Sequence, residues 1–184
     1  MIEEGVTTKV RAIEFEGNKS FSSGTLRHHL TISKYNLLSF LNKDDIYSPE
    51  KAEETQKALI QFYRDRGFYD FSLKGIEQIV KPESLGKLTL RITLDEGRRY
   101  LWGKVQVAGD SKDVPLEKLQ KIADHHNDGV IIKRSKWYNQ SQLDRIVAKI
   151  KEELGKKGYA KAEVDVQPAR SEDGYITVSY THLR

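Results

Sequence analysis

The sequence lacks cysteine altogether, and it lacks any apolar run long enough to cross a membrane as a helix. Without cysteine there can be no disulfide, no thiolate nucleophile and no cysteine-ligated zinc. A membrane-spanning helix needs about 20 consecutive apolar residues, and no stretch approaches that length. The composition that remains, 38% hydrophobic and 32% charged, is typical of globular domains.

Patterns that would indicate catalysis or metal binding are missing as well. The histidines His28-His29 and His125-His126 are adjacent pairs, whereas a helical metal site needs ligands at i and i+4. No nucleophile elbow and no glycine-rich phosphate loop follows a predicted strand. We therefore predict that the chain is not an enzyme and that it binds no metal and no cofactor.

What the sequence does contain is one unit that occurs twice, at Tyr47–Leu73 and at Tyr138–Val164. Each copy reads as a capped amphipathic helix that ends at a glycine and continues directly into a strand. The terminating glycines, Gly67 and Gly158, are 91 positions apart, as are the tyrosines that open the copies. A repeat at this spacing indicates two tandem domains of about 90 residues each.

The starts of the helices are predicted from their capping residues. Ser22-Ser23 can cap a first helix, and Ser48 can cap the second, with Pro49 at the first helical position. In the second copy, Asn139 followed three residues later by a glutamine is a capping-box arrangement.

Each domain is predicted to run strand, helix, helix, strand, strand. Leu88–Leu94 alternates apolar and polar residues most regularly, so we expect it at the centre of a sheet. The second strand, Tyr69–Lys74 or Ala160–Gln167, would then lie at an edge. The predicted fold class is α+β, with two tandem β-α-α-β-β domains at 8–100 and 101–184. Each would be a three-stranded mixed sheet packed on two helices.

The first domain has a long helix–helix connection, residues 33–47, which is unusually apolar for a loop. Two interpretations stay open. These side chains pack locally over the helix ends, or they form a partly exposed contact patch. The patch would consist of Leu37, Leu38, Phe40 and Leu41.

The order of elements and the residues that fill it resemble the POTRA (polypeptide-transport-associated) domain of the Omp85 family. In the first domain the resemblance rests on IEFEGN at Ile13–Asn18, YSPEKAEETQKAL at Tyr47–Leu59, FYRDRGFYDFSL at Phe62–Leu73 and LTLRITLDEG at Leu88–Gly97. In the second it rests on VQVAGD at Val105–Asp110, GYAKAEV at Gly158–Val164 and YITVSY at Tyr175–Tyr180. Within the family, the two domains look like the third and fourth of the barrel-assembly subunit.

The resemblance implies a non-enzymatic periplasmic module of a cell outer membrane protein. Its partners would be unfolded outer-membrane proteins and accessory lipoproteins, not nucleic acid. It would meet the membrane only through a C-terminal barrel that this sequence does not contain. The expected mode of binding is β-augmentation, in which an extended partner strand pairs with the exposed backbone of an edge strand.

The candidate partner-binding residues are those of the two predicted edge strands. They are Tyr69, Asp70, Phe71, Ser72, Leu73 and Lys74 in the first domain, and Ala160, Lys161, Ala162, Glu163 and Val164 in the second. The competing interpretation is that these edges merely face solvent and are protected from pairing by their charged side chains.

Two other functions stay open. One is a POTRA pair of another system, such as two-partner secretion or a cell-division scaffold. The other, less favoured, is a KH-like RNA-binding module, which would need a GxxG loop between its helices. The first domain has no glycine between Gly24 and Gly67, and the GxxG at Gly155–Gly158 follows the second helix of its domain. The net charge of +4 is also spread along the sequence rather than concentrated in one stretch.

Overall fold

The computed structural model describes residues 9–30, 47–80, 87–109, 114–124, 137–159 and 163–183. These residues form two compact units. The first contains the described residues up to Tyr63 together with Asp70–Gly97, and the second contains Arg64–Tyr69 and the described residues from Arg98 onward. The segment Arg64–Tyr69 therefore packs as part of the second unit. The predicted domain limits, 8–100 and 101–184, stay a prediction.

The first unit is a three-stranded mixed sheet with two described helices. Its elements are β1 (Lys9–Glu16), α1 (Ser23–Arg27), α2 (Pro49–Arg64), β2 (Ser72–Val80) and β3 (Lys87–Asp95). The strand order is β1-β3-β2, with β3 parallel to β1 and antiparallel to β2. The prediction that Leu88–Leu94 forms the central strand, with the second strand at an edge, is confirmed.

The second unit repeats this topology. Its elements are β4 (Leu101–Gly109), α3 (Leu116–Asp124), α4 (Gln140–Gly155), β5 (Glu163–Arg170) and β6 (Tyr175–Leu183). The strand order is β4-β6-β5, with β6 parallel to β4 and antiparallel to β5. The predicted α+β class, with two three-stranded mixed sheets, is therefore confirmed.

The apolar side chains that alternate along the central strands, β3 and β6, form a large part of both cores. In β3 the leucines and the isoleucine that alternate from Leu88 to Leu94 are all at most 4% exposed. In β6 the corresponding buried residues are Ile176, Val178 and Tyr180. Each large apolar side chain that is buried in this way contributes about 1.5–3 kcal/mol.

Three helices begin at the capping residues that the sequence predicts, and the two long helices are followed by the predicted glycines; α1 ends at Arg27. The Ser22 Oγ accepts from the N–H of Thr25 at 3.1 Å, and the Ser48 Oγ accepts from the N–H of Lys51 at 3.3 Å. The Asn139 side chain accepts from the N–H of Gln142 at 2.8 Å. Gly67 follows α2 with φ 96°, and Gly158 follows α4 with φ 91°, a conformation that side-chain-bearing residues rarely adopt.

The two edge strands differ from their predicted limits. β2 begins at Ser72 rather than Tyr69, because Tyr69 and Asp70 form a turn and Ser72 pairs with Asp95, the last residue of β3. Phe71, just before the strand, is buried, and its ring stacks on Tyr63 at 4.1 Å. The strand then continues six residues past Lys74, pairing with β3 as far as Val80. β5 is described from Glu163 and extends three residues past Gln167 to Arg170.

A buried carboxylate, that of Glu96, follows β3 and connects several elements of the first unit by hydrogen bonds. Glu96 is 7% exposed and accepts from the N–H of Ser20 at 3.0 Å, from the Ser20 Oγ at 2.6 Å and from the Tyr63 hydroxyl at 2.9 Å. Burial, followed by the hydrogen bond to Glu96, raises the pKa of Tyr63, so its hydroxyl remains a donor. One side chain thus joins the β1–α1 turn, the helix α2 and the end of the sheet.

Candidate functional site

Both second strands present an open edge. Among the described residues, β2 pairs only with β3, and β5 pairs only with β6. The outer rim of each strand therefore carries main-chain N–H and C=O groups that no described strand engages. Such a rim is a template on which another strand can pair.

In the first unit a groove runs between the open edge strand and the long helix. It has a volume of about 430 Å³. We call it the first groove; it is lined by Tyr47, Pro49, Ala52, Glu53 and Gln56 on the helix side and by Leu73, Lys74, Gly75 and Ile76 of β2. A strand that paired with β2 would place alternate side chains into this groove, since successive side chains of a strand point to opposite faces.

The second unit has a groove in the equivalent place, with a volume of about 230 Å³. We call it the second groove; it is lined by Gln140, Leu143, Asp144 and Val147 of α4, by Val166 and Pro168 of β5, and by Arg64 and Tyr69. The four α4 positions are each 91 residues beyond Pro49, Ala52, Glu53 and Gln56 of the first groove. The repeat therefore conserves the position of the groove as well as the topology.

The charges of the first groove are compensated within the unit. Glu53 forms an ion pair with Lys57 at 2.7 Å, and Lys74 forms one with Asp95 at 3.4 Å. A hydrogen bond from the N–H of Gly97, followed by the contact with Lys74, lowers the pKa of Asp95. The apolar residues that line this groove include Ala52, Leu73 and Ile76.

The structure separates the predicted partner-binding residues into three groups. Ser72, Leu73 and Lys74 lie in β2, and Glu163 and Val164 lie in β5. Tyr69, Asp70 and Phe71 precede β2, which corrects their assignment to the edge strand; Tyr69 instead lines the second groove. Outside the described residues lie Ala160, Lys161 and Ala162 and the patch Leu37, Leu38, Phe40 and Leu41.

Sequence reasoning missed the C-terminal half of β2. It does predict a groove between the second strand and the second helix of the first domain, with Leu59 and Phe62 as its floor. The structure contains a groove there, but other helix residues line it, because Leu59 and Phe62 are buried in the core at 0% and 4% exposure. The 91-residue offset could have found the helix positions, since it relates all four of them. Nothing local in the sequence places Arg64 in the second groove, because that assignment depends on the packing of Arg64–Tyr69 with the second unit.

Within the described ranges, no helix combines the length and apolar character that a membrane crossing requires. The same residues contain no cluster of three or more histidine, aspartate or glutamate side chains that could hold a metal ion.

The family profile described as "POTRA: Surface antigen variable number repeat" matches residues 8–97 and 100–181. The chain belongs to the POTRA family. The prediction of tandem POTRA domains of the Omp85 type is confirmed by this match and by the relatives below.

Two relatives are both outer membrane protein assembly factors named BamA. The protein of Neisseria meningitidis serogroup B is 31% identical over 167 residues, which cover 91% of this chain and 20% of that protein. The protein of Neorickettsia risticii is 32% identical over 120 residues, which cover 65% of this chain and 16% of that protein. The POTRA pair thus spans at most a fifth of the length of these curated relatives.

A solved structure, POTRA domains 3–5 of Haemophilus influenzae BamA, has the same fold. It superposes with a TM-score of 0.71 at 16% identity, and the match covers 100% of this chain and 69% of that one. At this identity the likeness shows the fold, and the two POTRA domains described here are an instance of it.

Proposed function

We propose that this POTRA pair is a non-enzymatic receptor in outer-membrane protein assembly, and that it works in the periplasm as part of a cell outer membrane protein. Its partners would be unfolded outer-membrane proteins and accessory lipoproteins of the assembly machinery. The similarity to BamA proteins supports this proposal, because those relatives are named assembly factors.

The mode of binding that the geometry favours is β-augmentation. The observation that carries it is the recurrence, in both units, of an open edge strand beside a groove formed with the long helix. Main-chain hydrogen bonds to the rim supply affinity with little demand on the partner's sequence. Alternate side chains of the partner enter the groove, where they contact Leu73 and Ile76 in one unit and Val147 and Val166 in the other.

In β5 the direction of the free backbone groups follows from a proline. Pro168 lies opposite Val178 of β6, and proline is tolerated in a sheet where its missing N–H would face the open rim. Backbone groups of alternate residues in an antiparallel strand point to the same side. Val164 and Val166 therefore offer their N–H groups to an incoming strand.

The proposal can be tested by replacing Val166 with proline and, as the matched control, with alanine. Both variants remove the valine side chain, but only Val166→Pro removes the N–H from the rim. A net hydrogen bond is worth about 1 kcal/mol, so we expect Val166→Pro to bind extended client peptides about fivefold more weakly than Val166→Ala.

Affinities would be measured by isothermal titration calorimetry, with the far-ultraviolet circular dichroism of each variant as the check of folding. Equal affinities in two folded variants would show that the β5 rim does not pair with clients. The proposed mode of binding at this unit would then be wrong.

A further inference from the structure

The second groove contains a guanidinium without a full set of acceptors. Arg64 is partly buried and lines the groove, and its Nε is inaccessible to solvent and has no hydrogen-bond acceptor in the structure. Its guanidinium carbon lies 5.8 Å from the centroid of the Tyr69 ring. A buried donor without an acceptor is costly. Because the Nε itself is closed to solvent, a ligand in the groove would contact the partly exposed remainder of the Arg64 side chain.

A second arginine approaches the same ring. The guanidinium carbon of Arg170, at the end of β5, lies 5.9 Å from the Tyr69 centroid. The Tyr69 ring thus has two guanidinium groups near it. Val147, Val166 and Pro168 are among the apolar residues that line the same groove.

The groove also contains one acidic side chain, Asp144. It is exposed and accepts from the Gln140 Nε2 at 2.9 Å; this donor is neutral, so the negative charge of Asp144 remains in the groove. The first groove has no arginine among its lining residues, and its Glu53 and Lys74 are both in ion pairs. Each groove therefore has one acid and one base among its lining residues, and the second differs in that its base is an arginine with another arginine, Arg170, near the same tyrosine.

We propose that the second groove selects extended segments that carry an acidic side chain, which bonds to Arg64 and is attracted by Arg170. The inference rests on the proposed strand pairing, and it adds a sequence preference to it. On a paired strand every second side chain faces the groove. The preferred segment therefore has one carboxylate on its groove face and an apolar residue two positions away, over Val147 and Val166.

The chemistry accounts for this choice. Hydrogen bonds between guanidinium and carboxylate are charge-assisted and stronger than neutral ones, and the planar guanidinium can bond both carboxylate oxygens. A glutamine in the same place offers a single neutral acceptor and gains nothing from Arg170. We therefore expect about a tenfold preference for the acidic segment at low salt.

The test uses two peptides that alternate apolar residues and serine and differ only by glutamate against glutamine at one apolar position. Both peptides have an acetylated N-terminus and an amidated C-terminus, so the glutamate side chain is the only carboxylate by which they differ. Fluorescence anisotropy with the full chain would give the ratio of the two affinities. The glutamate would be moved through the apolar positions to find the register.

Two variants test the contributions of Arg64 and Arg170, and a third variant serves as the matched control. Arg64→Gln is expected to reduce the tenfold preference to less than threefold, and Arg170→Gln, at an exposed position, to reduce it by a smaller factor. Arg145→Gln removes the same charge from an exposed position on α4, where Arg145 bonds its own helix, and should leave the preference unchanged. Raising the salt from 50 to 300 mM should weaken only the acidic peptide.

The outcomes separate this inference from the proposed function. If the neutral and the acidic peptide bind with equal affinity, the acidic preference is wrong, while the proposed strand pairing stands. If Arg145→Gln lowers the preference as much as Arg64→Gln, the effect is one of overall charge, and the site is refuted. If neither peptide binds, both the strand pairing at this unit and the preference are overturned.

Discussion

The hydrogen bonds to Glu96 allow a sharp prediction about the first unit. Replacing Glu96 with alanine removes the acceptor of three hydrogen bonds, from the Ser20 N–H, the Ser20 hydroxyl and the Tyr63 hydroxyl. A hydrogen bond to a charged group is worth about 1.5–3 kcal/mol, and a donor left buried costs about 1–3 kcal/mol. Water can reach Ser20, which is exposed, but not the buried Tyr63.

These terms together give an expected loss of about 3–5 kcal/mol in the free energy of unfolding of the first unit. That is a large part of the roughly 5–15 kcal/mol that a small domain possesses. Glu96→Gln keeps one acceptor for Tyr63 and should cost about half as much. Tyr63→Phe removes only the hydroxyl and should cost about 1 kcal/mol.

The assay must report on the first unit alone. Both tryptophans, Trp102 and Trp137, lie in the second unit, so tryptophan fluorescence follows that unit. Hydrogen exchange of the amides in β1, β2 and β3, measured in increasing urea, gives the stability of the first. A loss below 1 kcal/mol in Glu96→Ala would refute the argument, and so would additive effects of Glu96→Ala and Tyr63→Phe, because coupled groups are non-additive.

Two further predictions concern the second unit and can be followed by tryptophan fluorescence. Hydrogen bonds from Lys118 and then from Lys156 lower the pKa of Glu153 from 4.5 to about 2, so its contribution is present above pH 4.5 and lost as the pH falls toward 2. The thermal midpoint of Glu153→Gln should therefore fall less over that range than that of the wild type, and parallel curves would contradict this. Gly158→Ala forces a side chain to φ 91° with no compensating contact and should destabilise the unit by about 1 kcal/mol, whereas Gly155→Ala, within α4, should stabilise it by about 0.5–1 kcal/mol. Equal shifts in the two alanine variants would contradict the conformational argument.

The parts of the fold that depend on local chemistry could be predicted from the sequence. The alternation at Leu88–Leu94 located the central strand, because a strand buried on one face must alternate. The caps at Ser48 and Asn139 fixed the helix starts, because their side chains bond amides only a few residues away. The order of elements then placed the second strands at the edges.

The start of β2 depends on contacts between distant residues and could not be predicted. Tyr69 and Asp70 form a turn, and pairing starts only at Ser72, which lies opposite the last residue of β3, Asp95. The extension to Val80 is supported by pairing with β3 in spite of the polar residues Glu77 and Gln78. For the candidate site, the edge strands and a groove beside helix two could be predicted, but the residues that line the groove could not. The predicted floor, Leu59 and Phe62, is buried in the core, and Arg64 lines the second groove through the packing of Arg64–Tyr69 with the second unit.

Pro168 of β5 affects how long a polypeptide that pairs with this strand stays bound. The open edge has no N–H donor at Pro168, so a partner strand can form few main-chain hydrogen bonds between Glu163 and Pro168. Weak attachment is expressed mainly as rapid dissociation. Under the proposed strand pairing, a polypeptide that binds at β5 would therefore have a short residence time.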